Sequence, residues 1–218
     1  KGQLEPLWLA SMRDKAQAVG IELMCTAFSP EGYDIVNPFV KFHKVASSEL
    51  THKRILQKVK SFGKMVFLST GAAMEDEIKE ALRILDDTPL TLMYCVGAYP
   101  ARTVDVTTIA LMQQKFNVPT GYSDHTTDVL MIPALAVTYG ATVIEKHVSF
   151  IDAETPDKPH SLNGEEFKLM CENLKQGRET KIGPLKEERD MISGVLTLAN
   201  STITSSGTTA ICQGTAIT

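Results

Sequence analysis

The sequence has no paired-cysteine motif, no long apolar run, no basic tract and no glycine-rich phosphate loop, and each absence removes a class of function. Its cysteines, Cys25, Cys95, Cys171 and Cys212, are widely spaced without a C-x-x-C pair. A reduced, cytoplasmic protein with buried thiols is therefore expected. No apolar stretch reaches the roughly 20 residues a membrane helix needs, and no signal peptide is recognisable, so no membrane partner is expected. Lys and Arg number 22 against 26 Asp and Glu, a formal charge of -4. Without a polybasic patch, that balance argues against a nucleic-acid surface. Neither GxGxxG nor GxxxxGK[ST] occurs, and Ser69-Thr-Gly71 lacks their spacing. What remains is a chain of 218 residues, 43% hydrophobic, long enough to bury a sizeable core.

Periodicity divides most of that chain into strand and helix units. A helix over about 8–19 closes on Gly20 and leads into a strand over 21–28. Further strands are expected at 40–46, 63–71, 90–96, 118–123 and 142–147. The helices between them cover about 52–62, from about 75, 104–116 and 129–139. Ile55, Leu56, Val59 and Phe62 form one apolar face of the second helix, and Glu75, Asp76 and Glu77 favour the dipole end of the third. Pro133 lies in the first turns of its helix, where its cost is modest. Asn163 with Glu166 reads as a capping box that opens a last helix through about Gln176. Connections of this length permit only crossovers, so the strands pair in parallel. Strands that end in small polar residues suit a barrel's catalytic face, although an open doubly wound sheet has the same periodicity.

His125 and His147 each stand where an apolar strand yields to a polar loop. Two such imidazoles can hold a borderline divalent metal, with Asp124, Glu145 or Asp157 as further or supporting ligands. The alternative, one core histidine and one general base, stays open on the residues alone. Lys44 and Lys146 near strand ends suit a substrate phosphate or carboxylate, helped by Ser47, Ser69, Thr70 and Ser123, or else a salt bridge to Glu49 or Glu145. A Schiff base on Lys44 is a weaker fit than an electrostatic site. Cys95 reads as core packing. From 182 onward the character changes, and 203–209 reads as loop or linker; Asn200-Ser-Thr202 matches a glycosylation pattern by chance.

Several stretches together resemble the sialic acid synthase family, the N-acetylneuraminate synthases and the legionaminic and pseudaminic acid synthases. They are Cys25-Thr-Ala-Phe-Ser29, Lys44-Val-Ala-Ser-Ser-Glu49, Leu68-Ser-Thr-Gly71, Cys95 through Tyr99-Pro100, Gly121-Tyr-Ser-Asp-His-Thr126, Gly140 through Glu145-Lys-His147, and Pro156-Asp157 with Ser161-Leu162. GYSDHT followed by GAxxIEKH is the most specific part.

The resemblance implies a TIM (β/α)8 barrel that condenses phosphoenolpyruvate with an open-chain N-acetylated amino sugar and releases inorganic phosphate. By matching motif, His125 and His147 would hold the divalent ion, manganese foremost, with magnesium or cobalt as alternatives. Lys44, Ser47, Ser69 and Ser123 would seat phosphoenolpyruvate with Thr26 close by, and Glu49 would carry a proton or position water. Tyr99 and Asp157 would help hold the sugar. The complete family protein is expected to be a homodimer.

Departures are also visible. Gly97 stands where the family has a polar residue, Asp157-Lys158 replaces an Asp-His pair with His160 displaced, and no arginine-rich stretch is recognisable over 186–199. The family's first two strands have no counterpart here, so 1–180 is read as strands 3 to 8 of the barrel. The remainder, 181–218, is read as a linker toward an absent antifreeze-like domain whose leading edge 211–218 resembles. The competing functions are a related synthase acting on an aldose phosphate, and an inactive barrel used for binding or as a scaffold.

Overall fold

Alternating glycine, apolar strand and amphipathic helix give parallel strands joined by helical crossovers in the computed structural model, which describes residues 5–150, 155–179 and 209–214. The strands are β1 (Cys25–Thr26), β2 (Phe42–Val45), β3 (Met65–Ser69), β4 (Leu90–Cys95), β5 (Thr120–Asp124), β6 (Val143–Val148) and β7 (Thr209–Gly214). The helices are α1 (Pro6–Ala18), α2 (Pro30–Val36), α3 (Lys53–Ser61), α4 (Glu75–Ile84), α5 (Thr107–Phe116), α6 (Met131–Thr138) and α7 (Gly164–Glu179). All strand pairs are parallel, and the order across the sheet is the order along the chain. A doubly wound sheet would reverse direction at a switch point. None is present among the described residues, so the winding is that of a barrel arc.

A side-chain contact shows that this arc curls. Lys44 on β2 and Glu145 on β6 approach to 3.6 Å. In a flat sheet those strands would lie about 19 Å apart, four spacings of roughly 4.8 Å, beyond the reach of the two side chains. The β1–β6 portion is thus a parallel α/β half-barrel with a distinct inner face.

Strand alternation assigns each residue to one face of the sheet. Phe67, Met93 and Val143 pack inside with Met24, Phe42 and Met65. Outward residues meet the helices in two clusters. Val45, Val66, Leu68 and Leu92 join residues of α2, α3 and α4, whereas Tyr122 and Ile144 join those of α5, α6 and α7. Gly121 is required on the inner face: a Cβ there would lie 2.6 Å from Met93 Sδ and 2.8 Å from the Val143 carbonyl oxygen.

The expected elements form with several adjustments. The last helix opens as anticipated, with Asn163 Oδ1 accepting from Glu165 and Glu166 N–H while Glu166 accepts from Asn163 N–H. β1 is two residues rather than eight, since it is an edge with a single partner. α5 starts at Thr107 because Asp105 Oδ1 accepts from the Thr107 N–H and hydroxyl. α2 was not anticipated, although Ser29 at its N-cap, Pro30 at its first turn and Glu31 signal it. β7 was not anticipated either, being short of large apolar residues. The thiols of Cys25, Cys95 and Cys171 are free. The linker reading over 181–208, the Asn200 pattern and the search for arginines over 186–199 fall outside the described residues.

Candidate active site

The inner face rises in tiers from the apolar floor toward the C-terminal ends of the strands. Thr26, Lys44, Ser69, Cys95, Ser123 and Glu145 share the parity of the floor residues and form the next tier, and His125 and His147 stand above. Lys44 Nζ donates to Ser69 Oγ at 2.7 Å. Glu145 Oε2 faces the same ammonium at 3.6 Å, close enough to attract but without a hydrogen bond, and is buried. The backbone end of β2 is pinned by the buried Tyr33 hydroxyl, which donates to the Lys44 carbonyl at 2.6 Å.

Loop ends complete the tier. Gly71 has φ +47, and a Cβ on it would lie 2.6 Å from Ser47 Cβ, so only glycine lets Ser47 reach the end of β3. The Gly71 N–H donates to Cys95 Sγ at 3.1 Å, and burial raises the pKa of that thiol despite the bond. Cys95 is a packing and positioning group, as the sequence suggests.

The imidazoles gather at the mouth. His125 Nδ1 lies 2.7 Å from the Val96 carbonyl, which can only accept, so Nδ1 carries the proton and Nε2 presents its lone pair 3.3 Å from Ser123 Oγ. Burial lowers the His125 pKa, and burial pushes His147 down to about 4. Both rings are accordingly neutral at pH 7, the form that ligates a metal. Neither nitrogen of His147 has a hydrogen-bond partner. Unpaired, buried and neutral, the His147 nitrogens fit a divalent ion, with the His125 Nε2 lone pair alongside.

Two loops bring further groups over the histidines. The Ala101 N–H donates to the His125 carbonyl, and Tyr99 stacks on His125 with centroids 4.1 Å apart. The Leu162 N–H donates to the His147 carbonyl, which folds the 157–160 turn over β6. Asp157 Oδ2 then lies 3.8 Å from His147 Nδ1, and the His160 ring is 4.5 Å from that of His147.

The structure therefore brings Thr26, Lys44, Ser47, Ser69, Ser123, Tyr99, Asp157, His125 and His147 to one end of the arc. Glu49 is set differently, in a short 3-10 turn over Ser47–Glu49, partly exposed, where its charge helps raise the Tyr33 pKa. Two readings change. Lys146 points outward into the helical layer and is not an anion seat; it pairs with Asp124 at 2.8 Å rather than with Glu49 or Glu145. Asp124 is correspondingly no metal ligand, because its other oxygen accepts from Tyr122 Oη and Thr126 N–H. Strand parity required this, since 124 and 146 are one residue out of step with the inner face. His160 is the group that sequence reasoning left aside as displaced; its signal was burial beside the Asp157 motif, visible only once the turn is folded.

A parallel half-barrel with a lysine, hydroxyls and imidazoles collected at its strand ends has the arrangement of the catalytic face of an α/β barrel. The chain belongs to the NeuB family, the sialic acid synthase family, whose model matches residues 1–183. It is 38% identical over 193 residues to the uncharacterized protein MJ1065 of Methanocaldococcus jannaschii, covering 83% of this chain and 57% of that protein. It is 35% identical over 170 residues to N,N'-diacetyllegionaminic acid synthase of Campylobacter jejuni, covering 74% and 51%. The chain thus spans about half the length of the curated relatives it matches. Among solved structures, N-acetylneuraminic acid (sialic acid) synthetase from Leptospira borgpetersenii superposes with a TM-score of 0.79 at 26% identity, over 88% of this chain and 70% of that one. A truncated 3-deoxy-D-arabino-heptulosonate 7-phosphate synthase from Thermotoga maritima shares the fold, with a TM-score of 0.72 at 18% identity over 81% and 73%.

Proposed function

We propose that the inner face catalyses condensation of phosphoenolpyruvate with an open-chain N-acetylated amino sugar, of the N-acetylmannosamine type, to give a nonulosonic acid and phosphate. The observation that carries this reading is Lys44, buried on the inner face and bonded to Ser69 beneath neutral imidazoles. It makes an anion seat below and an electrophile seat above.

Lys44, Ser47, Ser69 and Ser123, with Thr26 beside them, direct donors at the carboxylate and phosphate of phosphoenolpyruvate. Tyr99, lying on His125, and Asp157 frame the sugar. A divalent ion, manganese foremost, would be held by His147 with His125 alongside and would withdraw electron density from the sugar aldehyde. C3 of phosphoenolpyruvate bonds to the aldehyde carbon, and the aldehyde oxygen takes up a proton. Water oxygen then adds at the electron-deficient C2 and passes a proton to a base, the role assigned to Glu49. The C2–O bond to phosphate then breaks with its electron pair leaving on phosphate, while the new C2 hydroxyl closes to the ketone and its proton passes to the departing phosphate, whose charge the lysine and serine donors stabilise. Of the lysines on the described strands, only Lys44 faces inward, which favours an unphosphorylated acceptor over an aldose phosphate.

The test is phosphate release by the purified chain with phosphoenolpyruvate, manganese and N-acetylmannosamine in 18O-water, with and without chelator. Sugar-dependent, chelator-sensitive release with label in the sugar acid is expected. Label in phosphate would overturn the C–O cleavage, and binding of both substrates without turnover would favour the scaffold reading. Sedimentation of the same sample tests the homodimer.

A further inference from the structure

The turn over β6 contains a cluster that the expected pair of histidines does not account for. His160 is 2% exposed and His147 6% exposed, and Nδ1 and Nε2 of both rings lack any hydrogen-bond partner. A buried polar atom left without a partner is costly, so two rings unpaired at both nitrogens call for a ligand. Asp157 lies between them. Its Oδ2 is 3.8 Å from His147 Nδ1 and its Oδ1 is 3.7 Å from His160 Nε2.

Ligand atoms of these three residues all lie within 4.8 Å of one another. An ion with bonds of about 2.1 Å holds its ligand atoms roughly 3.0–4.2 Å apart. Contraction of the widest separation by about 0.6 Å or more closes the set. The turn is braced for it, since Ser161 Oγ donates to the Asp157 carbonyl at 2.7 Å and the His160 N–H donates to the same carbonyl.

We infer that His147, Asp157 and His160 form a three-ligand divalent-cation site beside His125, in which Asp157 binds the ion as well as framing the sugar. The inference rests on the ion dependence proposed above for the same site and extends its ligand set. Two imidazoles and one carboxylate leave coordination positions open for substrate oxygens, and they select cobalt, zinc, manganese or ferrous iron over magnesium.

Cobalt(II) titration of the purified chain, followed by its visible absorption, reads the site without turnover. His160→Leu and Asp157→Asn are each expected to weaken cobalt binding by at least about 10-fold, and about a hundredfold excess of magnesium is expected not to displace it. Asp157 is partly exposed and its variant keeps the shape of the side chain, so Asp157→Asn decides the question if His160→Leu fails to fold by circular dichroism. Binding within twofold of the parent in Asp157→Asn, and in a folded His160→Leu, would overturn the three-ligand site. If His147→Leu also binds cobalt like the parent, the divalent reading of this mouth fails as a whole. Cobalt binding that depends on all three residues, with no phosphate release, would instead uphold the site and count against the proposed reaction.

Discussion

Two buried lysine–carboxylate pairs, one on each face of the same sheet, are built to different standards. Outside, Lys146 meets Asp124 at 2.8 Å and also donates to the Thr126 and Asp128 carbonyls, while Asp124 accepts from Tyr122 and Thr126. Inside, Lys44 stands 3.6 Å from Glu145, whose Oε2 has no hydrogen bond. A buried pair offsets its desolvation only when its remaining donors and acceptors are met. The outer pair meets that condition and locks the ends of β5 and β6 to the helical layer. The inner pair does not: Glu145 Oε2 goes unmet beside the Lys44 ammonium, which donates to Ser69, at the place proposed for an anionic substrate.

The sharpest way to break this contrast is stability. Lys146→Met leaves a buried Asp124 charge and should cost about 3–5 kcal/mol in urea denaturation. Lys44→Met should cost only about 1–2 kcal/mol, because its partner already lacks a full set of bonds. Equal losses would erase the distinction.

Acid sharpens it next. His43 faces outward between Tyr33 and Phe62, and burial, helped by Lys64, pushes its pKa down to about 4. The folded state then binds fewer protons than the unfolded chain, whose histidine titrates near 6.5. Stability is full above 6.5, falls as pH drops from 6.5 to about 4, and is flat below. Over that window His43→Phe should retain up to about 3 kcal/mol that the parent loses, read by denaturation at both pH values.

Function should divide the pairs in the opposite sense. Lys44→Met should lower kcat/KM for phosphate release by at least about 100-fold, the scale of losing a charged donor at a developing anion. The smallest effect concerns Gly97, which has no atom within 4 Å of a built Cβ. Gly97→Asn should lower KM for the sugar by about fivefold, one hydrogen bond's worth, and leave that for phosphoenolpyruvate unchanged.

The strands of the arc, their parallel pairing and most inward residues were legible in the sequence, because period-two alternation and loop chemistry are local. His125, His147, Lys44, Ser69 and Ser123 fell on the inner face as their motifs implied. Lys146 and Asp124 were misplaced because proximity to a strand end says nothing about parity until the register is known. His160 was undervalued because its partners come from another segment, across the turn that Leu162 closes onto His147. β1 was overextended because an apolar run does not show how many of its residues pair, and only Cys25 and Thr26 meet β2.

The central claim is that the inner pair is the anion seat and the outer pair is scaffold. Calorimetric titration of phosphoenolpyruvate into the parent chain and Lys44→Met, each checked by thermal melting, tests it most directly. The account predicts binding to the parent and a loss of at least about 100-fold in Lys44→Met, with the melting temperature lowered by only about 2–8 °C and the variant still folded at the titration temperature. Equal affinity in the two proteins would contradict it.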